Sequence, residues 1–335
     1  MQEIIIKKNE AGQRFDKYLC KYFKEATQSF IYKMLRKKNI ELNSKKASGS
    51  EKLVEGDIIK IFMSDDTIAK FRGKIDINTK KDNVNTKIIR DNIIYEDENI
   101  LIVNKPVGVL SQKAKPTDIS INEMFIEYLL EDGKITKEEL ETFKPSVCNR
   151  LDRNTSGLIT FGKTLAGVQE LSSGFKLRTF DKYYLAAVWG EVKNSSKIDG
   201  YLHKDSKSNK VTISNTGSDD SSYIQTAYEP MKTEYITINN KKQPITLLKI
   251  KLITGKTHQI RAHLASINHG LLGDDKYGNP KLNMELKKMY KINYQMLHSF
   301  QLCFKDEANL EALSNMNNMI VEAPITKGIN KLFNL

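Results

Sequence analysis

The chain has 335 residues, enough for two domains, and Lys and Arg outnumber Asp and Glu by 53 to 41, a net charge of +12. Its three cysteines, Cys20, Cys148 and Cys303, are scattered without a C-x-x-C pair, so they write neither a disulfide framework nor a zinc cluster. The opening MQEIIIKKNE holds too short an apolar run for a signal segment, and no stretch approaches the ~18 apolar residues of a membrane span; a cytoplasmic protein that meets phosphates is expected.

Half of the positive excess lies in residues 1–63, which hold 14 Lys and Arg against 8 Asp and Glu. There Phe15, Leu19 and Phe23, and then Ile31, Met34 and Leu35, recur at helical spacing, so two short helices can share one core. NIELN then alternates like a strand, and GDIIKIF reads as another. With RFDKYL opening the first helix and LVEGDIIKI closing the unit, this segment resembles the RNA-binding domain named after ribosomal small-subunit protein four, an S-four-like α/β domain. That resemblance makes Arg14, Lys17, Lys33, Arg36 and Lys37 candidates for RNA contact. Lys38-Asn39 and Asn43-Ser44 stand where the pattern usually has glycine; Asn tolerates left-handed backbone, so the turns are expected to survive.

Residues 64–91 are polar and lysine-rich without a sustained period, which predicts a flexible linker. From residue 92 to 335 the pattern changes. Strands are predicted at NIIYE, NILIVNKP, GLITFGKT, KYYLAAVWGEV, YIQTAYE, TLLKIKLI and MLHSFQLCF, and helices at Ile121–Leu130, Thr164–Leu177 and Thr257–Asn268. Strands joined partly by hairpin-length turns favour an α+β domain with a mixed, largely antiparallel sheet over a doubly wound one.

Candidate chemistry begins at Arg150-Leu151-Asp152-Arg153-Asn154-Thr155-Ser156-Gly157-Leu158, a carboxylate between two arginines in a stretch of turn formers just before a strand. An isolated Arg-x-Asp-Arg is usually an exposed ion pair at a turn. This longer stretch resembles the R-L-D-x-x-T-S-G-L of the RluA-type pseudouridine synthases, whose catalytic aspartate matches Asp152. Three companions follow the same family order. YEDENILIVNKPVGVLS, residues 95–111, resembles the family's first strand and Lys-Pro-Gly turn, with Lys105 expected to be mainly structural and to touch phosphate. Lys182-Tyr183-Tyr184-Leu185-Ala186 resembles the K-x-Y-x-A strand, which implies that Tyr184 lines the active site while Tyr183 faces the other way. Thr254-Gly255-Lys256-Thr257-His258-Gln259-Ile260-Arg261-Ala262-His263 resembles T-G-R-T-H-Q-I-R-x-H, which implies an ion pair between Arg261 and Asp152. Lys256 keeps the charge of the family's arginine without its fork. Asn149 stands where the family often has His and cannot exchange protons near neutral pH.

Rival readings fail on spacing. Gly255-Lys256-Thr257 resembles the end of a P-loop, but Ile250 occupies the position of its required first glycine; His258 and His263 lack the H-E-x-x-H arrangement; no glycine-rich methyltransferase loop is present. The resemblance implies a monomeric RNA isomerase needing no metal or cofactor, with large-subunit rRNA as substrate, no DNA or membrane partner, and RNA contacts from Lys105, Arg150, Arg153, Lys182, Lys256, His258 and Gln259. A tRNA substrate, or a non-catalytic RNA-binding or ribosome-assembly factor on the same scaffold, is the alternative.

Overall fold

A computed structural model describes residues 1–73, 84–205, 210–308 and 310–335. The N-terminal unit comprises β1 (Gln2–Ile5), α1 (Phe15–Tyr22), α2 (Gln28–Arg36), β2 (Ile40–Leu42), β3 (Lys45–Lys46), β4 (Ile58–Ile61) and α3 (Asp65–Arg72). Phe15, Leu19, Phe23, Ile31, Met34 and Leu35 do meet, in one cluster with Ile40, Leu53, Ile59 and Ile61 beneath an antiparallel sheet ordered β1-β4-β2-β3. The Thr27 side chain caps α2 by accepting from the Phe30 amide. Lys38, Asn43 and Ser44 all take positive φ, at 58°, 50° and 59°. Asn43 and Ser44 make the left-handed two-residue turn between β2 and β3, and the Asn43 side chain secures it by donating to Asp57 and accepting from the Ile58 amide.

The stretch 64–91 is corrected at both ends, while residues 74–83 lie outside the described residues. Ser64 caps α3, Ile68 enters the N-terminal core, and Phe71 packs on Phe30 at 4.1 Å between ring centres. Ile68 and Phe71 are a two-member stripe within charged sequence, too short to register as a period yet sufficient to dock one helix. At the other end α4 (Lys87–Arg90) buries Ile89 in the core of the following domain.

That domain runs through β5 (Ile93–Glu96), β6 (Ile100–Lys105), α5 (Ile121–Glu131), α6 (Glu139–Thr142), β7 (Ser146–Val147), β8 (Ser156–Gly162), α7 (Leu165–Leu177) and β9 (Phe180–Trp189). It continues with β10 (Ser196–Lys204), β11 (Val211–Ser214), β12 (Ser221–Ile238), β13 (Lys241–Leu252), α8 (Gln259–Ser266), α9 (Pro280–Tyr290), β14 (Leu297–Phe304), β15 (Ile320–Glu322) and α10 (Lys327–Phe333). The sheet order is β11-β10-β12-β13-β9-β14-β8-β6-β5, with β7 and β15 beside β8 and β14. Among the described strands only β14 and β8 pair in parallel, so the fold is α+β with a mixed, largely antiparallel sheet.

Alternation along β6 and β8 sends Leu101, Val103, Ile159 and Phe161 to the face covered by α5, and Ile100, Ile102 and Leu158 to the face covered by α7. Every residue of β8 is buried. Gly157, at φ 110°, has no room for a Cβ because the Ser299 backbone of β14 passes against it. Glycine in the Thr-Ser-Gly-Leu stretch is therefore what lets β14 lie beside the strand that follows Asp152.

The N-terminal unit docks at the opposite end of β8. Glu141 receives Arg72 at 3.0 Å and Lys24 at 3.6 Å, Lys7 pairs with Glu139 at 2.6 Å, Glu10 takes the Thr142 hydroxyl, and Asn9 O accepts the Leu165 amide. Among the described residues no helix is long and apolar enough to cross a membrane.

Candidate active site

Asp152 sits in the loop between β7 and β8, and neighbouring backbone fixes it. Ser111 Oγ donates to Leu151 O at 2.7 Å and accepts the Leu151 amide at 3.0 Å, while the Thr155 amide donates to Asp152 O. The Lys-Pro-Val-Gly turn after β6 clasps the same loop. The Gly108 amide donates to Arg153 O at 2.9 Å, Arg153 Nε returns a bond to Gly108 O at 3.0 Å, and Gly108 adopts φ 87°, a region that favours glycine.

Lys105 lies beneath that turn. It is fully buried, and its Nζ donates to the carbonyls of Pro106, Val109 and Arg153 at 3.0, 2.8 and 3.2 Å. The expected phosphate contact by Lys105 is thus corrected, because its ammonium braces two loops and is closed to RNA. Burial pushes it down to about 7, opposed by the charge of Asp152.

Arg261 reaches the site from the first turn of α8. Its Nη1 donates to Asp152 Oδ2 at 3.0 Å, while Nε and Nη2 grip the two oxygens of Asp274 at 2.7 and 2.8 Å, and Nη2 also reaches Asp275 at 3.2 Å. Arg261 is nearly buried, so these carboxylates hold a charge that water does not solvate. Desolvation works against its charge, but the hydrogen bonds and charge of Asp274, then Asp152, prevail and hold it above the ordinary arginine range. His258, at φ 55°, is the other group at Oδ2, with Nε2 at 3.7 Å and Nδ1 3.0 Å from the Tyr277 hydroxyl. Burial pushes the imidazole below its usual range, with Asp152 opposing.

Tyr184 and Tyr183 take opposite faces of β9. Tyr184 is buried with Leu151, Ile260 and Leu297 at the floor of the cleft, and burial pushes its hydroxyl up to about 12. It therefore stays protonated near neutral pH. Tyr183 lies under the ammonium groups of Lys249 and Lys251 on the far side.

Gln259 is the second correction. It is buried, its Oε1 accepts from Thr254 Oγ1 and the Lys256 amide, and its Nε2 donates to Gln225 O and Thr226 Oγ1. Its hydrogen-bonding groups tie the start of α8 to β12 and are not free for RNA. Asn149 is similarly committed to Thr160 and Leu158.

These groups border a cleft of about 670 Å³, within the range of small-molecule and nucleoside sites. Arg150, Arg153, Lys182, Lys256 and Arg261 line it, joined by Lys113, Lys176 and Arg178, which the motifs did not single out; among the described residues Asp152 is the one carboxylate in its lining. Arg14, Lys17, Lys33, Arg36 and Lys37 are exposed on the N-terminal unit and do not line the cleft. Arg14 spends its fork on Asp16, at 3.0 and 3.1 Å. Sequence reading missed Asp274, Asp275 and Tyr277; the run of turn formers from Gly273 to Gly278 was the available signal.

Residues 99–266, which carry the Asp152 loop, β9 and the start of α8, match the family described as RNA pseudouridylate synthase. The chain belongs to this family, as an RluA-type RNA pseudouridine synthase. It is 32% identical over 316 residues to "Ribosomal large subunit pseudouridine synthase C" of Rickettsia bellii (strain RML369-C), covering 92% of this chain and 97% of that protein. The protein of the same description from Vibrio vulnificus (strain CMCP6) is 28% identical over 99% of this chain and 95% of its own length. Among solved structures, Human RNA Pseudouridylate Synthase Domain Containing 4 shares the fold with a TM-score of 0.55 at 19% identity, over 74% of the synthase and 95% of that chain.

Proposed function

We propose that this synthase converts uridines of large-subunit ribosomal RNA to pseudouridine with Asp152 as the catalytic carboxylate, in the cytoplasm and as a monomer. The observation that carries the reading is the pairing of Asp152 with Arg261 at 3.0 Å, in a cleft whose other charged lining groups among the described residues are all cationic. The substrate follows from the relatives' descriptions, which span nearly the full length of this chain.

The isomerisation breaks the N1–C1′ bond, turns the base and forms C5–C1′, then moves the C5 proton to N1. Atoms and electrons balance within the nucleotide. Asp152 serves this as the nucleophile or base, with Arg261 holding its Oδ2 in place. Tyr184 offers a rigid apolar face to the everted base, a type of contact worth roughly 1–3 kcal/mol. A stacked uridine must leave its helix at a cost of a few kcal/mol, which backbone contacts by Arg150, Arg153, Lys182 and Lys256 offset. His258 is close enough to Asp152 to touch a nucleotide held there.

The N-terminal unit, in this reading, is the S-four-like RNA-binding domain, gripping duplex or loop phosphates through Lys17, Lys33, Arg36 and Lys37. Mapping pseudouridine in large-subunit rRNA from cells lacking the protein tests the substrate. Specific sites should vanish and return with the wild-type gene but not with Asp152→Asn. An unchanged rRNA map alongside missing tRNA sites would overturn the substrate assignment.

A further inference from the structure

Arg261 is gripped from behind by a carboxylate outside the recognised motifs. Asp274 is fully buried. Its Oδ1 accepts from Arg261 Nη2 and from the amides of Lys276 and Tyr277 at 2.9 and 3.1 Å; its Oδ2 accepts from Arg261 Nε. Its carbonyl accepts from Asn283 Nδ2 at 2.7 Å. The turn from Asp274 to Tyr277 thus holds the carboxylate rigidly, and the carboxylate holds the guanidinium.

A guanidinium pairs most strongly with a carboxylate through two parallel N–H bonds. That fork is given to Asp274. What remains for Asp152 is Nη1, on Oδ2 alone. The same turn supplies Tyr277, whose hydroxyl bonds His258 Nδ1, and His258 Nε2 also faces Oδ2. Both cleft groups that touch Asp152 are therefore aimed at one oxygen, and no hydrogen bond to Oδ1 occurs among the described residues. With Asp274 absent, the fork is free to swing onto both oxygens of Asp152.

We infer that Asp274 is a positioning residue of the isomerisation: by occupying the Nε and Nη2 edge of Arg261 it confines the ion pair to Oδ2 of Asp152 and leaves Oδ1 for the substrate. The inference rests on Asp152 being the catalytic carboxylate. Its size follows from reaction geometry, where a displacement of about 1 Å costs roughly a hundredfold.

Asp274→Asn separates the arginine role from the turn role, since the amide oxygen can still accept from Lys276 and Tyr277 but cannot take both arginine donors. On an unmodified large-subunit rRNA transcript, kcat should fall roughly 10–100-fold with KM within about twofold. In an Arg261→Lys background, where there is no fork to hold, the same substitution should cost less than about threefold. Wild-type kcat in Asp274→Asn, or an equal loss in both backgrounds, would overturn the inference and leave Asp274 as a turn residue only. Should Asp274→Asn fail to fold, Asp274→Glu keeps the buried charge but pushes the guanidinium forward. A reduced kcat with cooperative unfolding supports the inference, and unchanged kcat overturns it. Turnover retained by Asp152→Asn, measured in parallel, would remove the reading beneath it, whatever Asp274→Asn does.

Discussion

The N-terminal unit and the cleft of the sheet domain both gather positive charge, and they use it in opposite ways. On the N-terminal unit Lys17, Lys33, Arg36 and Lys37 stand exposed around a closed apolar core. At the cleft Arg261 is buried against carboxylates, and beneath the adjoining turn Lys105 is buried against loop carbonyls. Exposed charges act through water, are screened within ~8 Å at physiological salt, and supply affinity without fixed geometry. Buried charges are costly to desolvate and persist where hydrogen bonds fix them, so they supply geometry. In the proposed reading one region holds RNA, while the other holds a single carboxylate still.

The largest contrast comes from emptying each region of its charge. Arg261→Met leaves Asp274 buried without its partner, so urea unfolding should show a loss of about 3–5 kcal/mol along with reduced kcat. A stability within 1 kcal/mol of wild type, on the order of an exposed ion pair, would break the contrast. Removing residues 1–73 takes the exposed cations and α3 together. RNA affinity should fall and its dependence on salt should flatten, while kcat at saturating RNA stays within about twofold. An unchanged salt slope would deny the N-terminal unit its holding role.

A smaller effect separates the regions by pH. All five histidines lie outside the N-terminal unit. His263 on α8 and His298 on β14 are fully buried, and burial pushes each down to about 4. Above about pH 6.5 both are neutral folded or unfolded. Between about 6.5 and 4 the unfolded chain takes up protons that the native state refuses, so stability falls as pH falls, by at most about 1.4 kcal/mol per unit for each histidine. Hydrogen exchange at about pH 5 should lose protection in α8 and β14 before α1 and α2. Loss in α1 and α2 first would contradict this assignment.

Much of the fold is legible in local pattern. β6, β8, β9, β13 and β14 alternate or run apolar as buried strands must, and the strands predicted there have counterparts in the sheet. The motifs named Asp152, Tyr184 and Arg261, and the structure brings the three to one cleft. What stayed hidden depends on distant partners. Nothing near Lys105 in sequence announces that Arg153 O, 48 residues away, accepts one of its hydrogen bonds. Gln259 reads as a polar residue in a basic motif until β12 supplies Gln225 and Thr226. Asp274 looks like a turn aspartate, which it also is, and only the fold places it behind Arg261. β10 is largely polar, with only Gly200 and Leu202 buried, and so lacks a strand signature, and α3 has too short an apolar stripe to outweigh its charged neighbours.

The most direct test is a paired assay of purified Asp152→Asn on one rRNA transcript, scoring binding and pseudouridine formation together. Affinity should stay within about threefold of wild type while turnover drops by at least roughly 10³-fold. Turnover near the wild-type rate would contradict the account, since the carboxylate that Arg261 and the Lys105 loop hold in place would then have no part in the reaction.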